Sequence, residues 1–187
     1  SYFHVPVNTA GVYTSYFTGQ NFAGKAGISV INDDLRRYFN QSPGNGVPHD
    51  NMSTRTQGYW IAPQSGTLKL RAAFDDTFEP WFNGVQYDIG YMNTTVFTTL
   101  GATINVVAGK AYPIRFDIKN NSYDYYYQIQ YSMDNGTTWA EVDIADLATC
   151  KTSAPQAMPT VVAPVCGVSD ELFVQYNQVP DVADATN

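Results

Sequence analysis

Apolar and polar residues alternate with a period of two along much of the chain. From Thr67 to Ala73, Leu68, Leu70 and Ala72 interleave with Lys69 and Arg71, which predicts a half-buried strand. Gly58 to Ala73 as a whole reads as two strands joined at the turn Pro63-Gln64-Ser65-Gly66. Short β-like pieces precede it at Gly11-Val12-Tyr13 and Tyr16-Phe17. Asn83-Gly84 is a two-residue hairpin signal that pairs Trp81-Phe82 with Val85-Gln86-Tyr87. Further strands are expected at Thr95 to Leu100, Thr103 to Val107, Pro113 to Ile118 and Tyr125 to Ser132, and Asp134-Asn135-Gly136 turns the last into Trp139 to Val142. One stretch breaks the alternation. From Ser29 to Phe39, Ile31, Leu35, Tyr38 and Phe39 recur at helical spacing behind Asn32-Asp33-Asp34, predicting a short helix near residues 30–39. Asn40 to Asn51 is a loop by composition, and residues 178–187 look like a linker to a following module. The expected fold is all-β, a single antiparallel sandwich or barrel domain over residues 1–187 with one short helix.

Composition narrows the function. Aromatics make up 14% of the chain and charged residues only 14%, a profile of sheet-rich extracellular proteins. Acids outnumber Lys plus Arg by 17 to 10, a formal charge of -7 that argues against nucleic acid or an anionic membrane as partner. No run is apolar enough to span a bilayer, and the first residues lack a signal-peptide pattern, so the chain reads as a mature or excised module. Cys150 and Cys166 are expected to form a disulfide, and without nearby His they make no zinc site.

Asp75 and Asp76 close one strand and open an aromatic-rich loop. Successive side chains of an extended chain point to opposite faces, so both carboxylates meet one cation only if the backbone bends between them. Such a bend would make half of a site for calcium, which takes several hard oxygens from carboxylates, amides and carbonyls. The alternative is a solvated turn.

The order Gly58-Tyr59-Trp60-Ile61-Ala62-Pro63-Gln64-Ser65-Gly66-Thr67, then Phe74-Asp75-Asp76, then Trp81-Phe82-Asn83-Gly84 resembles the protective-antigen-type (PA-fourteen, GLEYA-like) β-sandwich domain. The run Val106 to Phe116, with Gly109-Lys110-Ala111-Tyr112-Pro113-Ile114-Arg115 at its centre, is similar to that family's "G-K-x-Y-P-(apolar)-R" strand. Together these motifs cover roughly residues 55–132. The resemblance implies a calcium-dependent lectin, as in yeast flocculins and bacterial RTX adhesins, in which an Asp-Asp pair joined by a cis peptide binds calcium and calcium binds vicinal sugar hydroxyls. Carried over, Asp75 and Asp76 become metal and sugar ligands. A gap-free alignment from Tyr112-Pro113 puts the remaining ligands on the Asn120 side chain and the Ser122 and Asp124 carbonyls, with Asn121 as the alternative to Asn120. The residues agree in part, because Asn120-Asn121-Ser122-Tyr123-Asp124 breaks strand alternation and is oxygen-rich, while an ordinary hairpin turn is the other reading. The expected partners are cell-surface glycans or free mono- and disaccharides, bound outside the cell by a monomeric module.

Phe78, Trp81, Tyr123 and Tyr125 lie near these loops, and Tyr123 is the expected exposed platform for a sugar face. Ser132-Met133-Asp134-Asn135-Gly136-Thr137-Thr138-Trp139 matches the Asp-box of sialidases, whose physical content is a pinned hairpin rather than catalysis. Neither His4 nor His49 accompanies a nucleophile signature, and adjacent carboxylates are ill-placed to flank a glycosidic bond, so no enzyme is expected. A spacer that keeps the fold without metal is the main rival.

Overall fold

The computed structural model describes residues 7–22, 26–31, 35–39, 48–87, 94–100, 103–122, 124–151 and 164–167. Among them the chain folds as two antiparallel sheets packed face to face. The strands are β1 (Val12–Thr18), β2 (Ala26–Ile31), β3 (Arg36–Phe39), β4 (Met52–Ile61), β5 (Gly66–Asp75), β6 (Thr77–Phe82), β7 (Val85–Gln86), β8 (Thr94–Thr99), β9 (Ile104–Val106), β10 (Ala111–Asn120), β11 (Tyr125–Ser132), β12 (Ala140–Glu141) and β13 (Leu147–Ala148). The first sheet has the order β2-β1-β4-β10-β6-β7, with β13 also paired to β4. The second runs β12-β11-β5-β8, with β3 on β11 and β9 on β5. No helix among the described residues is long and apolar enough to cross a membrane.

Strand alternation sets the core. Along β11, Tyr125, Tyr127 and Ile129 are buried while Tyr126, Gln128 and Gln130 are half-exposed. Inside, Phe74 and Phe116 flank Phe78 in a stack with centroids 5.3 and 5.6 Å apart. Trp60 meets Phe82, Tyr112 and Tyr131 at the opposite end. The predicted Asn83-Gly84 hairpin forms, pairing Trp81 with Gln86 and Phe82 with Val85, and both turn residues hold positive φ. Cys150 and Cys166 are joined in a disulfide.

One expectation is corrected. The helix near residues 30–39 is absent from the described residues there. Ile31 ends β2 opposite Val12, and Arg36 to Phe39 pair with Gln128 to Tyr125. Leu35 sits between them at φ 58°, a left-handed backbone that interrupts any right-handed helix, with its side chain wholly buried. The eleven positions hold five apolar residues, Val30, Ile31, Leu35, Tyr38 and Phe39, too few to fix a period, and pairing with β1 and β11 supplied the hydrogen bonds that decided it. Among the described residues the helical element is a 3-10 turn at Ile144–Asp146. The two strands of Gly58 to Ala73 form as expected on either side of Pro63–Gly66, and that turn carries the chain from one sheet to the other. The expected capping residues 32–34, Tyr123 and the linker at 178–187 lie outside the described residues.

Candidate functional site

β5 belongs to the second sheet and β6 to the first, and a single residue, Asp76, separates them. The chain therefore changes sheets at Asp75-Asp76, and the peptide between these residues is cis. Register brings other strand ends to the same edge of the sandwich. Tyr126 at the start of β11 faces Asp75, Lys119 near the end of β10 faces Thr77, and Asn120 faces Met52 at the start of β4.

Hydrogen bonds then sew the loops together. The Asp76 N–H donates to the Lys119 carbonyl at 3.1 Å, and the Asn121 N–H donates to Asp76 Oδ2 at 2.7 Å. The Asn121 carbonyl accepts from the Asn51 N–H at 2.9 Å, and the Asn51 carbonyl from the Gly19 N–H at 2.7 Å. Gln20 Nε2 donates to the side-chain oxygens of both Asn51 and Asn121. Asn120 is fully buried, and its Nδ2 donates to the His49 carbonyl at 2.9 Å. This bond orients the amide and gives the two Asn residues different roles. Asn120 sits inside the corner, whereas the Asn121 side chain faces Gln20. Asp76 is buried and Asp75 half-exposed.

The electrostatics are one-sided. Burial, the hydrogen-bonding contact with Asp76 and the negative charges of Asp76 and Asp124 push the Asp75 carboxyl up to about 7. No cation contributes to that shift. Among the described residues no three of His, Cys, Asp and Glu converge as a metal-holding group. A cation at this corner would thus take two carboxylates and complete its shell from amide and carbonyl oxygens. That hard-oxygen donor set fits calcium and not a thiolate- or imidazole-seeking metal.

Asp124 is exposed, and its Oδ2 accepts from Tyr38 Oη at 3.1 Å. The candidate aromatic platforms fall mostly inside. Phe78 is stacked in the core, Tyr125 is 1% exposed with its hydroxyl 2.6 Å from Thr54 Oγ1, and Trp81 lies under the Arg115 guanidinium. Tyr38, 54% exposed and beside Asp124, is a site aromatic that residue spacing does not reveal, because at helical spacing it falls in the apolar stripe. Only the strand partner of β3 places it here.

The Asp-box is the pinned hairpin that its residues predict. Ser132 Oγ accepts from the Gly136 N–H at 2.8 Å and donates to Asp134 Oδ1, while Asp134 accepts from the Thr138 N–H and hydroxyl. It stands where β11 turns toward β12, away from the Asp75-Asp76 corner at the start of β11.

Comparison with solved structures gives the same sandwich in proteins of low identity. An anti-sigma factor domain-containing protein superposes with a TM-score of 0.68 at 16% identity, covering 79% of this chain and 51% of that one. The chain thus spans about half the length of that relative. The Epithelial Adhesin 9 A domain from Candida glabrata, solved in complex with Galb1-3GlcNAc, gives 0.56 at 12% identity over 76% of this chain and 90% of that one. A PA14 sugar-binding domain from an RTX adhesin gives 0.58 at 12% identity over 78% and 99%. No curated protein sequence matches the chain. Residues 8–147, which span β1 to the first residue of β13 and include the Asp75-Asp76 corner, match the PA14 domain family, and the chain belongs to it.

Proposed function

We propose that this domain is a calcium-dependent carbohydrate-binding module of a cell-surface adhesin, working outside the cell on surface glycans or free mono- and disaccharides. The observation that carries the reading is the bond from the Asn121 N–H to Asp76 Oδ2, which ties the two-carboxylate corner to the oxygen-rich turn after β10. Asp75 and Asp76 would offer carboxylates, Asn120 its amide oxygen, and Ser122 and Asp124 their carbonyls. Bound calcium would supply open coordination positions for two vicinal sugar hydroxyls. The protein's own residues hold the donors in place: Lys119 and Asn121 fix Asp76, and His49 fixes the Asn120 amide. No bond of the sugar is broken. The sugar complexes of fold neighbours such as the Epithelial Adhesin 9 A domain support the ligand class.

The test is thermal unfolding of calcium-loaded protein, of the same sample after EGTA, and of both with a monosaccharide panel. A ligand of the native state raises the midpoint by mass action. The expected result is stabilisation by calcium that Asp75→Ala and Asp76→Ala abolish, and stabilisation by sugar only when calcium is present. An unchanged midpoint on adding EGTA to loaded protein would overturn the reading and leave a spacer with a turn at Asp75-Asp76.

A further inference from the structure

The solvent face of the second sheet carries a continuous polar ladder that begins at the corner just described. Tyr126 Oη donates to Gln128 Oε1 at 2.7 Å, and Gln128 Nε2 donates to Glu141 Oε1. The same Glu141 oxygen accepts from Gln130 Nε2 at 3.1 Å, and Gln130 Oε1 accepts from Arg71 Nε at 2.8 Å and from Arg71 Nη2. Aromatic rings stand at both ends. Tyr38 packs edge-on against Tyr126 with centroids 6.5 Å apart, while Phe97 and Trp139 lie 4.3 and 4.4 Å from the Arg71 guanidinium carbon. All these groups are half-exposed apart from Tyr38, which is 54% exposed.

We propose that this strip is an extension subsite for a neutral oligosaccharide, taking the sugar units that follow the one held at Asp75-Asp76. Three observations choose that occupant. The strip is continuous with the corner, since Tyr126 is the strand partner of Asp75 and Tyr38 bonds Asp124. The charged side chains along it are of both signs, with Arg71 and Glu141 both braced by Gln130 and Arg36 opposite Gln128 offset by Asp124 at Tyr38, so no single sign of charge dominates to select an ionic ligand. Rings at the ends with amides and a hydroxyl between them match the alternating apolar faces and hydroxyl edges of a glycan chain. From Tyr126 to Gln130 the strand advances about 13 Å, at about 3.3 Å per residue, which is longer than one hexose ring. The mutual hydrogen bonds hold the side chains in place before binding, which lowers the ordering cost of taking up a flexible chain.

The proposal rests on the sugar-binding reading of the corner, and the experiment separates the two. Calorimetric titrations would use 1,4-linked gluco-, manno- and galacto-oligosaccharides of one to six units, with calcium and with EGTA. The proteins compared are wild type, Asp75→Ala, Tyr38→Ala, Tyr38→Phe and Phe97→Ala. In one of the three series, wild-type affinity is expected to rise about tenfold from one unit to four. Phe97→Ala removes about two- to tenfold of that gain without altering monosaccharide affinity, as loss of a ring contact predicts, while Tyr38→Ala removes a similar share and Tyr38→Phe, which keeps the ring, restores it. A calcium-dependent monosaccharide signal with no gain on lengthening, or a gain that both alanine variants retain, would overturn the strip alone. A gain that survives EGTA and Asp75→Ala yet falls in Tyr38→Ala would support the strip and overturn the calcium reading. Absence of binding at every length would overturn both.

Discussion

The backbone N–H of Asn121 donates to Oδ2 of Asp76 at 2.7 Å, so the turn after β10 is held by the same carboxylate that closes the crossover from β5 to β6. Asp76 is thereby structural and a candidate ligand at once. Because the acceptor is a buried carboxylate, removing it should cost about 1.5–3 kcal/mol, the range for hydrogen bonds to charged groups. Asp76→Ala is expected to lose that stability and the calcium response together. Asp76→Asn, which keeps a carbonyl acceptor, should recover part of the stability without the calcium response. Urea denaturation with and without EGTA measures both quantities, and equal stability of the two variants would show that the bond contributes nothing.

Asp117 lies between two guanidinium groups on the outer side of the first sheet. Arg55 donates to it at 2.8 and 3.0 Å and Arg115 at 3.1 and 2.8 Å, and all three residues are buried. Burial alone would raise the Asp117 carboxyl, yet the two arginines hold it below the ordinary carboxylate value. Asp117→Ala leaves two buried cations facing each other and should cost about 3–5 kcal/mol. Asp117→Ala combined with Arg55→Leu should restore stability relative to the single variant. Urea midpoints at neutral pH check this, and a double variant no better than the single one would contradict it.

Gly58 shows what the first glycine of the family-like motif does. A Cβ built there would lie 2.9 Å from the Ala148 carbonyl oxygen and 3.0 Å from Val12 Cγ1. β13, paired antiparallel to β4, and the Val12 side chain leave no room for a side chain there. Gly58→Ala should cost about 1–3 kcal/mol by overpacking, visible as a lower thermal midpoint. An unchanged midpoint would mean that β13 yields without loss.

The Asp-box supplies a pH prediction. Hydrogen bonds from the Thr138 hydroxyl and N–H and from Ser132 hold the Asp134 carboxyl down at about 2, against an ordinary value of 3.8. A depressed carboxylate stabilises the fold above its unfolded value and loses that contribution as pH falls. The gap in thermal midpoint between wild type and Asp134→Asn should be full at pH 5 and should shrink from about pH 4 to pH 2. A gap independent of pH would show that the ionised form is not what the hairpin uses.

Much of this protein was legible in one dimension, because several of its devices are local. The period-two stretches along β5 and β11, the Asn83-Gly84 turn and the Asp-box depend on neighbours within a few residues, and the physical rules that act at that range are visible in the residue order. Asp75 and Asp76 stood out for the same reason. Adjacent acids between a strand and an aromatic run are a short-range pattern, and their family-like setting pointed to the bend that the cis peptide makes.

What the residue order left open depends on pairing across long separations. Residues 29–39 carry an apolar spacing that reads as helix, and only β1 and β11, distant in sequence, decide for strand at 29–31 and 36–39. Tyr38 reaches Asp124 because β3 docks on β11, and no spacing rule links positions 86 apart. Asn120 and Asn121 are adjacent amides that composition cannot rank. The fold separates them by burying one against the His49 carbonyl and turning the other toward Gln20. Sequence by itself thus determined most of the strands outside residues 29–39, the local turns and the pair of carboxylates. Tertiary structure decided which oxygens stand beside that pair and which aromatic rings remain outside, because a side chain's neighbours are set by strand register, and register is satisfied only when both sheets are complete.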